Sequence, residues 1–82
     1  MAKISNVKIA VFPGSFDPIT LGHVNLVKRA LPLFDKIIVA VGVNSQKNNL
    51  FSLEKRLRWL RDVFSDEPKI EIAFFEGLTV KF

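Results

Sequence analysis

Apolar and polar positions fall in blocks along this chain, and the spacing within each block predicts an element. Val7 to Phe12 is a near-continuous apolar run closed by Pro13-Gly14. Such a run predicts a strand covered on both faces, as in the centre of a parallel sheet. From about Gly22 to Phe34 the pattern becomes helical, and Val24, Val27, Leu31 and Phe34 form a core stripe. Leu26, Ala30 and Leu33 widen that stripe to about half the helix circumference. The extra arc is covered either by its own domain, or by another subunit or a further segment. Pro32 lacks the N–H that would bond the Lys28 carbonyl, so the helix should kink or tighten near its end.

Lys36 to Val43 predicts the second strand, and Ile37-Ile38-Val39-Ala40-Val41 implies burial on both faces. A polar loop follows from Gly42 to Phe51. Ser52 is the expected N-cap of a second helix. Leu53, Leu57, Leu60 and Phe64 form its stripe, with Val63 flanking it and Lys55, Arg58 and Asp62 opposite. Arg56 and Arg61 also flank the stripe, and this basic face reads most simply as solvated. Trp59 points away from the stripe, to cover a flank of the domain or to meet another chain. Asp66-Glu67-Pro68 is a turn, and Lys69 to Phe74 is the third strand, with Ile70 and Ile72 on one face. Phe75-Glu76-Gly77 reads as a loop, and Leu78 to Phe82 as the start of another helix. The order βαβαβ predicts an α/β fold: a Rossmann-like parallel sheet, one half of a doubly wound domain.

Composition narrows the function. The chain has 82 residues, enough for one small domain, and no cysteine, which excludes disulfides and thiolate metal sites. The formal charge is +4, which favours acidic partners. Its basic residues are dispersed, so small phosphorylated ligands fit better than nucleic acid. No apolar run approaches the roughly 20 residues needed to span a bilayer, and no charged-then-apolar leader precedes the first strand. The expectation is a cytoplasmic protein that engages no membrane.

The candidate chemistry lies between the first strand and the first helix. Phe12-Pro13-Gly14-Ser15-Phe16-Asp17-Pro18-Ile19-Thr20-Leu21-Gly22-His23 holds the only histidine of the chain. Pro13 and Pro18 stiffen the loop, and Gly22 admits close approach of a ligand. Gly22-His23 falls where unpaired helix N–H groups and the positive dipole end would favour an anion. The plainer reading is turn chemistry with a capping histidine.

Gly14-Ser15-Phe16-Asp17-Pro18 followed by Thr20-Leu21-Gly22-His23 resembles the signature of the nucleotidyltransferases with a T/H-x-G-H motif. Within them it is most similar to the bacterial phosphopantetheine adenylyltransferases. The similarity continues through Phe34-Asp35-Lys36, Lys47, Leu50-Phe51-Ser52-Leu53-Glu54 and Phe75-Glu76-Gly77-Leu78. The resemblance implies that residues 1–82 are the N-terminal part of a single nucleotidyltransferase domain. It implies AMP transfer from ATP, with Mg²⁺, to 4′-phosphopantetheine, giving dephospho-coenzyme A and pyrophosphate. It assigns His23 and Lys47 to catalysis, Ser15, Phe16 and His23 to ATP, and Ser15, Lys47 and Thr79 to the phosphopantetheine substrate. Asp17 matches a fixed position, and a carboxylate ordering the loop through backbone N–H groups is its expected role. The resemblance also implies a homo-oligomer, hexameric in the family.

Asn48-Asn49 departs from the family's usual Lys-Pro and removes a charge beside Lys47. Family members run to about twice this length, within the usual single-domain range, and their later half closes over ATP. The 82 residues alone are therefore expected to be inactive. The competing expectations are another adenylyl- or cytidylyltransferase of the superfamily, or a non-catalytic nucleotide-binding fragment.

Overall fold

A computed structural model describes residues 7–43 and 50–76. Three strands alternate with two helices: β1 (Ile9–Gly14), α1 (Leu21–Ala30), β2 (Lys36–Val43), α2 (Leu53–Val63) and β3 (Ile70–Glu76). The strands form one parallel sheet in the order β1-β2-β3. When consecutive parallel strands are laid down in one direction, right-handed crossovers put both helices on the same face. The core agrees with that rule. Val27 of α1, Leu57 and Leu60 of α2, and Phe64 just beyond it pack with Ile37, Val39 and Val41 of β2 in one buried cluster. Ala10 and Phe12 close the cluster from β1, and Ile70 and Ile72 from β3.

The other face of the sheet is bare among the described residues. Ile9 and Val11 of β1 are 52% and 56% exposed, and Ile38, Ala73 and Phe75 on the same face are only half-buried. This corrects two sequence expectations. β2 is buried on its helix face at Ile37, Val39 and Val41, whereas on the other face only Ala40 is buried and Ile38 is half-buried. β1 is an edge strand here, not a central one. The apolar runs record a requirement for cover on both faces, and these residues supply one layer of it.

The helices end where local chemistry ends them. α1 stops at Ala30, and Leu31–Leu33 tighten into a 3₁₀ turn around Pro32, as its missing donor predicts. Leu26 and Leu33 remain 58% and 66% exposed, so the described residues leave the widened apolar arc open. The Ser52 hydroxyl caps α2 by accepting from the Lys55 N–H at 3.2 Å. β3 runs on to Glu76, so Phe75-Glu76 is strand, not loop. The Phe75 ring lies over Gly42, its neighbour across β2, where an added Cβ would stand 3.1 Å away.

Candidate functional site

All three strands are parallel, so their carboxyl ends share one edge of the sheet, where open α/β folds hold ligands. The first loop leaves β1 there and enters α1. Thr20 is the N-cap of that helix, with extended backbone angles (φ −121°, ψ 166°). Its hydroxyl oxygen accepts from the His23 N–H at 3.3 Å, and its own N–H donates to His23 Nδ1 at 3.1 Å. This is a capping box with histidine in the place usually taken by Glu or Gln.

The box decides how the imidazole is presented. A backbone N–H can only donate, so Nδ1 accepts and the ring proton belongs on Nε2. Nε2–H is then the donor left for a ligand. The first two N–H groups of α1, from Leu21 and Gly22, have no place in the helical ladder. An anion at this end would meet those groups, the helix dipole and the His23 ring together. Among the described residues a Cβ built on Gly22 would meet only Thr20 Oγ1, at 3.6 Å, so their packing does not require glycine there.

Phe16 braces the ring from behind. It is 5% exposed and meets His23 edge-to-face, with centroids 4.9 Å apart at 69°. Its φ is +48°, a left-handed conformation that costs a non-glycine residue roughly 1–2 kcal/mol. Burying the phenyl ring contributes about 1.5–3 kcal/mol, enough to offset that cost. The ring also folds back on Gly14, where an added Cβ would stand 3.1 Å from it. Ser15, between them, is exposed.

A second set of contacts ties this loop to the entrance of α2. The Asp17 carboxylate accepts from the Leu50 N–H at 2.7 Å and the Phe51 N–H at 2.8 Å. That is the loop-ordering role expected of it. Arg56, in contrast, is not solvated: it is 1% exposed. Its guanidinium donates to the Ser15 carbonyl at 2.9 Å and to the Ser52 carbonyl at 3.3 Å. Phe51 in turn packs edge-on against Trp59, centroids 4.8 Å apart, so Trp59 covers a flank of its own domain.

The structure therefore sets Phe16 against His23 at the start of α1, and Ser15 is exposed in the loop next to Phe16. Lys47 and Thr79, the other two predicted site residues, lie outside the described residues, as do Asn48 and Asn49. Thr20 and Arg56 were not predicted to shape the site. Thr20 had a signal, since Thr-x-x-His has capping-box spacing. Arg56 had none beyond a basic residue one turn after Ser52. Among the described residues no cluster of His, Asp and Glu could cage a metal ion, and no helix is long and apolar enough to cross a membrane.

Residues 11–81 match the cytidylyltransferase-like family model. A phosphopantetheine adenylyltransferase of Flavobacterium johnsoniae is 56% identical over 71 residues, which cover 87% of this chain and 47% of the relative. That of Carboxydothermus hydrogenoformans is 54% identical over 76 residues, covering 93% and 47%. The chain thus spans about half the length of the curated relatives it matches. Among solved structures, the NadR protein in complex with NAD and AMP-PNP superposes with a TM-score of 0.78 at 26% identity, over 100% of this chain and 24% of that one. A bifunctional NMN adenylyltransferase/ADP ribose pyrophosphatase from Francisella tularensis, complexed with AMP and a manganese ion, gives 0.71 at 25%, over 88% and 23%.

Proposed function

Because this chain belongs to the cytidylyltransferase-like family, we propose that it supplies the catalytic half-site of a phosphopantetheine adenylyltransferase. The observation that carries this reading is the Thr20–His23 capping box, which, among the described residues, leaves Nε2–H and the exposed first turn of α1 for a ligand. The 56% identity to a phosphopantetheine adenylyltransferase supports 4′-phosphopantetheine as the substrate within the family.

In the proposed reaction an oxygen of the 4′-phosphopantetheine phosphate attacks the α-phosphorus of ATP. The new P–O bond forms as the bond from the α-phosphorus to the bridging oxygen breaks, and pyrophosphate leaves. The second pKa of a phosphate monoester is about 6, so the nucleophile is already ionised at neutral pH and needs no general base. Catalysis then consists of positioning and of stabilising charge in the transition state. The first-turn N–H groups and His23 Nε2–H would hold ATP phosphates. The buried ring of Phe16 leaves that residue to act through its backbone. Ser15 would meet the attacking phosphate, with Lys47 and Thr79 completing the phosphopantetheine side by resemblance. ATP would bring Mg²⁺ as its counter-ion, held through phosphate oxygens and water. Asp17 is engaged by two N–H groups and is not assigned to it.

The same proposal includes a homo-oligomer, hexameric by resemblance, in the cytoplasm, where ATP is available. The exposed leucines of α1 and the bare sheet face favour cover from outside these residues. The test is to join these 82 residues to the second half of the Flavobacterium johnsoniae relative and follow pyrophosphate release. Release with 4′-phosphopantetheine, and none with nicotinamide or nicotinate mononucleotide, supports the proposal. Phosphopantetheine binding without release contradicts it, and release with a mononucleotide alone supports another adenylyltransferase.

A further inference from the structure

Two buried or half-buried charges stand outside the machinery described so far, and each ends on backbone of a distant loop. Asp17 reaches 33 and 34 residues along the chain to the N–H groups of Leu50 and Phe51. Arg56 reaches 41 residues back to the carbonyl of Ser15. The two sets of bonds run in opposite directions between the same pair of segments. One joins a side chain of the first loop to the backbone before α2. The other joins a side chain of α2 to the backbone of the first loop.

We propose that Asp17 and Arg56 are positioning residues that lace the first loop to the start of α2 and thereby set the backbone of Ser15 and Phe16 beside His23. This rests on the reading of Ser15 as a contact to the attacking phosphate. The Arg56 bond fixes the carbonyl of the peptide that links Ser15 to Phe16. Phe16 on the far side of that peptide holds the left-handed conformation and touches the His23 ring. A rotation of that peptide would therefore move the Ser15 side chain and the support of His23 together. A guanidinium that is 1% exposed and bonded to two carbonyls is held at a fixed position, unlike a surface arginine. Asp17 fixes the other end of the turn against Phe51, whose ring lies on Trp59.

Trp59 is the only tryptophan, so its emission reports this lacing directly. The experiment compares the 82-residue chain with Asp17→Asn, Arg56→Lys and Arg56→Met. In Asp17→Asn the Leu50 and Phe51 amides should exchange with solvent about 10- to 100-fold faster, the equivalent of one or two charge-assisted hydrogen bonds. Trp59 should become easier to quench, while the Leu57 and Leu60 amides stay protected. Equal acceleration at Leu57 and Leu60 would reduce the effect to general loosening and overturn the proposal, as would no acceleration at Leu50 and Phe51.

Binding of 4′-phosphopantetheine supplies the second readout. Arg56→Met should weaken it by about tenfold or more, and Arg56→Lys, which keeps the charge and a donor, should recover part of that. Combined with Ser15→Ala, Arg56→Met should add little further loss, because both act at one contact. Full additivity would show that Arg56 does not act through Ser15. If the unmodified chain binds no 4′-phosphopantetheine, the adenylyltransferase reading fails, and the lacing is decided by the exchange pattern alone.

Discussion

Gly22 separates what the fold requires from what a ligand requires. It lies in the first turn of α1, where a Cβ would meet one atom, Thr20 Oγ1, at the ordinary contact distance of 3.6 Å. Nothing among the described residues excludes alanine. Glycine in a helix costs about 0.5–1 kcal/mol relative to alanine, through the larger conformational freedom of the unfolded chain. Gly22→Ala should therefore stabilise the protein by about 0.5 kcal/mol. For a domain this small that raises Tm by about 2–4 °C. The same methyl group would stand at the helix start where the phosphates are proposed to approach. ATP affinity, measured by calorimetry, should fall at least tenfold, or about 1.4 kcal/mol. A more stable protein that binds less nucleotide is the signature of a residue kept for its ligand. Gly14→Ala is the control. Its Cβ would press on the buried Phe16 ring at 3.1 Å, and overpacking of that kind costs about 1–3 kcal/mol. If Gly22→Ala lowers Tm, or raises it with ATP affinity intact, the reasoning about this position is wrong.

Other consequences follow from the same geometry. Thr20→Val keeps the size of the side chain but removes the cap of α1, which should cost about 1 kcal/mol in urea unfolding and release His23 N–H to exchange. Leu60→Ala, at 0% exposure in the core between α2 and the sheet, should cost about 2–5 kcal/mol in the same assay. Val11→Thr, on the bare face, should change stability by less than about 0.5 kcal/mol. It should, however, reduce self-association seen by light scattering, since an uncovered apolar sheet face invites it.

The elements were legible where the hydrophobic pattern had a period. The stripe of Leu57, Leu60 and Phe64 foretold the buried side of α2, and Ser52 and Pro32 foretold a cap and a tightened end. β2 occupies the predicted residues, Lys36 to Val43. What the pattern does not carry is the identity of the cover. A strand such as β1 reads as doubly buried whether its second layer lies in these residues or elsewhere. Arg56 was misread for a related reason. A basic residue beside an apolar stripe looks solvated, and a carbonyl 41 residues away leaves no mark in the sequence. The motif marked the candidate loop, but the way that loop is built was not legible. Thr20 turning the His23 ring, and Phe16 held left-handed behind it, are local arrangements that the order of residues suggests only once the capping geometry is seen.

The most direct measurement is the residue-by-residue NMR response of the isotope-labelled chain to 4′-phosphopantetheine and to ATP. Shifts are expected at Ser15, Phe16, Leu21, Gly22 and His23, with Arg61, Phe64 and Ile70 at the opposite end of the sheet left unmoved. Shifts confined to that opposite end, or none at millimolar ligand, would contradict the claim that the start of α1 is a phosphate-binding half-site.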